Sequence, residues 1–338
     1  MHRLRRSVFA PGLLLLAGLL LAAQGCTGSS AATPASSTAP ALTLSAAQQA
    51  FNTFVATDDV ARASGNEWLG VSLVDYGRVG LTTAAYQTAD FLGQRVPRYT
   101  YGTPKLYVPR LKGFPFWFMA VVPRTPRGGG PTRTAIMVFD RRVSTDPWYM
   151  ISLSLLGQGN SPPDIALDSG GYATPLATFD GQLPVAPDAV GALQATEAQD
   201  GPHSAATAVV APGPYTTGVH DQILAATKQA AAQGYHYQAL LSGTSDPVAA
   251  LKTANGGGFV AYTLNLNSVT LRSNPPIRQI EIPQAYAPLL DGGLVLQYEL
   301  DTTDTDQYGA VISPKAPPHR PSVNVISFDG GPTAASGH

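Results

Sequence analysis

Apolar residues along the chain change period twice, and each change marks a change of element. From Ala47 the positions Ala47, Ala50, Phe51, Phe54 and Val55 fall at the three- and four-residue spacing of one helical face. Ser45 and Gln48 precede and overlap that face as a capping box, hydroxyl and amide three residues apart. Two shorter helical patterns follow at 58–74 and 82–92, with Arg62, Glu67 and Asp75 expected on their solvated faces. The period then shortens. Residues 105–110, 115–122, 134–139 and 148–155 are short aromatic or β-branched runs bounded by turn residues, the pattern of antiparallel strands. A long hairpin loop is expected at 123–133, around Gly128, Gly129 and Gly130.

The second half repeats the order. Helical patterns at 188–199 and 217–233 lead into strand patterns at 235–241, 248–253, 259–271, 294–300, 310–312 and 323–328. In the 217–233 helix, Ile223, Leu224, Thr227, Ala230 and Ala231 share one face. The run from Asn255 to Gly258 reads as a hairpin turn between two of the strands. A Pro-, Gly- and Asp-rich stretch at 180–187 separates the halves. Helices before strands, twice over, predicts an α+β fold of two tandem domains with helices on an antiparallel sheet. The domains are expected at 44–184 and 185–338. Their element order resembles the cone-shaped NTF2-like or cystatin-like domains.

A third pattern occupies the N-terminus. Arg3, Arg5 and Arg6 precede an apolar run over 9–23, and small residues lead up to Cys26. A charged start, a short apolar core and a small-residue cleavage site mark an export signal over residues 1–25. The core is shorter than the roughly 20 residues a membrane-spanning helix needs. Leu21-Ala22-Ala23-Gln24-Gly25-Cys26 resembles the lipobox of bacterial lipoproteins, and Cys26 is the chain's single cysteine. The resemblance implies cleavage before Cys26 and acylation there, with palmitate-type chains holding the protein on the extracytoplasmic face of the cell membrane. Two or more acyl chains anchor stably where one does so only marginally. Residues 27–41 are almost wholly Ala, Ser, Thr, Pro and Gly. A disordered tether over 26–43 is the expectation.

Composition narrows the classes. The chain has 21 basic and 22 acidic residues, three of the basic ones in the leader, which leaves a formal excess of four negative charges beyond it. No basic stripe speaks for nucleic acid. With Cys26 lipidated, no thiol remains for a disulfide or a thiolate metal site. The Phe114-Pro115-Phe116-Trp117-Phe118 string and the string from Val209 to Gly218 resemble a family of actinobacterial secreted lipoproteins of unknown function. That resemblance implies an address and a fold, with no activity attached.

Candidate chemistry is sparse. Gly159-Asn160-Ser161-Pro162-Pro163 and Gly243-Thr244-Ser245-Asp246-Pro247 approach the serine-hydrolase elbow but end in Pro where Gly is required. His203, His220, His236, His319 and His338 lack the four-residue pairing of a helical metal site. Asp301, Asp304 and Asp306 fail the calcium-loop pattern, because Tyr308 and Lys315 stand at the fifth and twelfth positions, so a solvated acidic hairpin is expected. Arg124, Arg127 and Arg133 are candidates for contact with an anionic surface. The sequence reading is therefore a non-catalytic, membrane-anchored lipoprotein without cofactor or metal, binding or positioning an envelope component, an envelope protein or a small ligand. An envelope enzyme of hydrolase type, lacking any local motif, is the alternative.

Overall fold

The computed structural model describes residues 42–179, 181–272, 279–290, 293–315 and 320–338. The expected export signal, Cys26 and the expected tether up to Ala41 lie outside the described residues, as does His319.

Helix α1 (Leu44–Ser64) is longer than its pattern predicts, because its buried face continues through Asp58, Ala61 and Arg62. Thr43 caps it, accepting a hydrogen bond from the Ala46 N–H at 3.1 Å, so the cap lies two residues before Ser45. Gln48 bonds Asn52 instead. Gly65 stops the helix with φ 67°, where a side chain would be strained. The short α2 (Glu67–Val71) and α3 (Gly77–Phe91) complete the first helical layer. Strands β1 (Tyr99–Tyr101), β2 (Lys105–Tyr107), β3 (Phe116–Pro126), β4 (Arg133–Arg141) and β5 (Tyr149–Leu156) follow. The β3–β4 hairpin runs further out than expected, and its loop shrinks to 127–132.

The second half holds α4 (Ala189–Asp200), α5 (Thr217–Ala232), β6 (Tyr235–Gly243), β7 (Ala249–Lys252), β8 (Gly258–Arg272), β9 (Glu299–Ile312) and β10 (Val323–Gly337). The Asn255–Gly258 turn forms as expected: the Thr253 N–H reaches the Gly257 carbonyl and Gly256 takes φ 87°. The acidic run 301–306 departs from expectation. It is the middle of β9, flanked by β8 and β10, with Asp306 buried. Strand neighbours on both sides supply the ladder that Asp, a poor strand former, does not favour alone.

The fold is thus a mix of helices and antiparallel sheet. Its ten strands form a single sheet in the order β1-β3-β4-β5-β10-β9-β8-β6, with β2 on β3 and β7 on β8. The halves meet where β5 pairs with β10, Leu155 opposite Phe328 and Leu156 opposite Ser327. That pairing is short, and Gln307 extends the seam: its side chain accepts from the Leu153 N–H and donates to the Ile151 carbonyl, both at 2.9 Å. The described residues pack as one compact unit. One core lies under α1, where Phe51 and Phe54 meet Phe139 edge-on and Phe118 stacks on it at 4.8 Å. A second lies under α4, around Val190, Leu264 and the stacked Tyr262 and Tyr308. A third crosses the midline, joining Met119, Ile136 and Val138 to Leu251, Phe259 and Ile326. The helices-then-strands order holds in each half, but the sheet does not stop at the expected boundary.

Candidate binding groove

Directly paired residues of antiparallel strands put their side chains on the same sheet face. Across β6, β8, β9 and β10 the register aligns Ala239, Ser268, Thr302 and Ala335 in one row. The row on one side holds Tyr237, Thr270 and Leu300, and the row on the other holds Leu241, Leu266 and Asp304. Short side chains between taller ones leave a trough. Ile223 and Thr227 of α5 and Gln199 of α4 wall it from above, enclosing about 750 Å³ open to solvent. The roof helix is lightly seated: among its residues only Ala230 is buried, and Leu224 is 44% exposed. Of the shared face of Ile223, Leu224, Thr227, Ala230 and Ala231, all but Ala230 overhang the trough or face solvent.

The trough floor is polar and uncharged, with a carboxyl at its flank. Ser268 and Thr302 share a hydrogen bond at 2.7 Å between their hydroxyls. The Tyr286 hydroxyl donates to Asp304 Oδ2 at 2.7 Å. Burial pushes the Asp304 carboxyl above the usual carboxylate range, and the Tyr286 hydrogen bond offsets part of the rise. Burial likewise raises the Tyr237 hydroxyl, with Ser268 countering and the Asp304 charge adding to it. Further along the same face of β9, burial pushes Asp306 up to about 7, against a 3.1 Å hydrogen bond from the Tyr308 hydroxyl. Behind the trough the Tyr262 hydroxyl donates to Gln194 of α4, whose amide donates to the Tyr215 carbonyl at 2.7 Å. Glu197, one turn on, is fully buried. Burial pushes its carboxyl up to about 7, with the Thr216 hydroxyl offsetting part.

Comparison with known proteins supplies the family. The model for a domain of unknown function, DUF8094, matches residues 38–337. The chain belongs to the DUF8094 family. A relative from Streptomyces avermitilis, named "Uncharacterized lipoprotein", is 30% identical over 159 residues. The matched segment is 47% of this chain and 45% of that protein, so this chain spans less than half of the relative's length. No solved structure matches.

In this DUF8094 chain the residues singled out from sequence are scattered. Arg124 is buried on β3, its guanidinium 3.5 Å from the centre of the Tyr99 ring, and so is withdrawn from any surface. Arg127 pairs with Asp59 at 3.2 Å, and Arg133 stays exposed beside the Leu156 carbonyl. Both serine strings are loops with structural tasks. Asp246 accepts from the Gly77 N–H at 3.0 Å, where α3 begins, and the Asn160 amide donates to the Ile326 carbonyl at 3.0 Å. His220 bonds the carbonyls that end α4, His236 is exposed on β6, and His338 lies beside Tyr298. Among the described residues no three His, Cys, Asp or Glu side chains are grouped to hold a metal, and no helix is long and apolar enough to cross a membrane.

Sequence reasoning missed two features. The trough residues Tyr237, Ser268 and Thr302 have no local motif, and only the strand register brings them together. Arg62, expected in solvent, is 7% exposed and held in both directions: its Nε lies 2.8 Å from Asp58 and its Nη1 reaches the Pro97 carbonyl at 3.1 Å. The signal available was the four-residue spacing of Asp58 and Arg62 on a face already apolar.

Proposed function

We propose that this protein is an extracytoplasmic lipoprotein, anchored to the membrane through Cys26, that binds a small ligand or a segment of an envelope component in the trough beneath α5. The observation that carries the binding half is the trough itself. A concave space of a few hundred cubic ångströms, mixing apolar walls with a few placed polar groups, is the usual form of a small-ligand site. The lipobox-like residues at 21–26 support the anchoring half, as does the printed name of the Streptomyces relative. The helices-then-strands order of each half supports a descent of the merged sheet from two cone-shaped NTF2-like or cystatin-like units.

A second reading, catalysis, is favoured by one observation. Asp304 is a carboxyl of raised pKa beside an open trough, with a tyrosine hydroxyl on it, and shifted groups concentrate in catalytic sites. The neutral floor and the absence of a paired nucleophile and base in the trough lining favour binding over turnover.

The anchoring half is tested by the denatured mass of the protein extracted from its own membrane. A chain beginning at Cys26 and carrying two or three acyl chains is expected, and a Cys26→Ser variant should leave the membrane fraction. An unacylated mass for the membrane-extracted protein would overturn it.

A further inference from the structure

We infer that the trough beneath α5 recognises an uncharged, hydroxyl-rich ligand, a saccharide or polyol segment; the inference rests on reading the trough as a binding site. The lining chemistry is the argument. By strand register the polar floor side chains on the trough face are Tyr237, Ser268 and Thr302, joined by Gln199 and Thr227 from the helices. All five are neutral, while Gln238, Asn267, Asp301 and Thr303 stand on the opposite face of their strands. Hydroxyls both donate and accept, and an amide does both at its two ends. Such a set matches a ligand whose own hydroxyls alternate those roles, and the Ser268–Thr302 pair presents one such exchange on the floor at 2.7 Å.

Other chemistries fit less well. No Lys, Arg or His lines the trough, while Asp304 flanks it on the same face, so a phosphate or carboxylate ligand would meet repulsion without a partner. On the trough face the aliphatic side chains of the lining are Ile223 and Ala239, Leu240 and Val269 standing on the opposite face of their strands, so an acyl chain would bury the floor hydroxyls without returning their hydrogen bonds. A cation would have no cluster of ligating side chains among the described residues. Tyr237 is the aromatic ring of the lining, a flat surface for the apolar face of a sugar ring.

Saturation-transfer NMR on the full chain in nanodiscs tests this, with N-acetylglucosamine tetramer, maltotetraose, inorganic phosphate and lauric acid as separate probes. The expected result is transfer to at least one oligosaccharide and none to phosphate. Two variants localise it: Ala239→Phe fills the floor, and Thr227→Trp fills the space from an exposed position on α5, where folding is not at stake. Each should weaken saccharide binding about tenfold or more, the scale of one or two lost hydrogen bonds at a buried contact. Transfer to lauric acid alone, abolished by Thr227→Trp, would overturn the saccharide class and leave the binding trough standing. Saccharide transfer untouched by both variants would overturn the placement in the trough. Transfer to no probe would overturn the inference.

Discussion

Glu197 has no solvent exposure on α4, and its carboxyl is pushed from 4.5 to about 7 by burial. A carboxyl raised in the folded state binds its proton more tightly there than in the unfolded chain. Its contribution is whole below about 4.5 and is lost as pH rises through about 7. Asp306, raised to about 7, and Asp140, raised to about 6 by burial and the nearby Asp75, act with the same sign. The folded state should therefore weaken from mildly acid toward alkaline pH. Glu197→Gln keeps the shape and removes one titration, so its unfolding free energy from urea titration should fall less between about pH 5 and pH 8, ending about 1–3 kcal/mol above wild type. An unchanged slope would contradict a protonated Glu197. Asp58 gives a second residue-scale expectation. Asp58→Ala leaves the Arg62 guanidinium buried without its counter-charge, and should cost about 3–5 kcal/mol in a denaturant titration. Apolar positions such as Phe51 and Phe54 were legible from spacing alone. Arg62 was not, because charge is assigned to solvent unless its partner and the covering elements are known.

At the scale of elements, strands with alternating or continuous apolar character were readable. β3, β4 and β5 begin and end within a few residues of their patterns, and so do α4 and α5. β9 and the second half of β10 were not, for a physical reason. Residues 301–306 and 329–337 carry Asp, Thr, Gly, Pro and Ser, which read locally as turns, and pairing with each other, and of 301–306 with β8, makes them strand. Gly330 shows the fit. A side chain there would collide with Asp306 and the β9 backbone, so glycine marks close strand packing and not a bend. α5 was placed correctly, but how far its face is buried was not legible, because the amphipathic pattern cannot tell a packed face from one overhanging a trough. The seam between β5 and β9 depends on Gln307, fully buried and bonded to two backbone groups of β5. Gln307→Leu preserves volume but leaves the Leu153 N–H and Ile151 carbonyl unpaired, so a loss of about 2–4 kcal/mol is expected. Differential hydrogen exchange checks it: the Leu153 amide should lose protection before the interior of β8 does. Equal protection in the variant would show that Gln307 does not hold the seam.

Across the whole molecule, the two helices-then-strands halves are fused through one sheet and one shared core, and the trough lies in the second half under a loosely held helix. No single sequence window reveals this. Ala239, Ser268 and Thr302 come from three strands separated by long connections, and their alignment is a property of register. The central claim is that this trough holds a ligand in the protein's native setting. It is tested most directly by native mass spectrometry of the chain extracted from its own membrane, wild type beside Thr227→Trp. The account predicts a native mass above the denatured, lipidated mass for wild type, with that excess absent from the variant. A wild-type native mass equal to the denatured one, or an excess that survives Thr227→Trp unchanged, would contradict it.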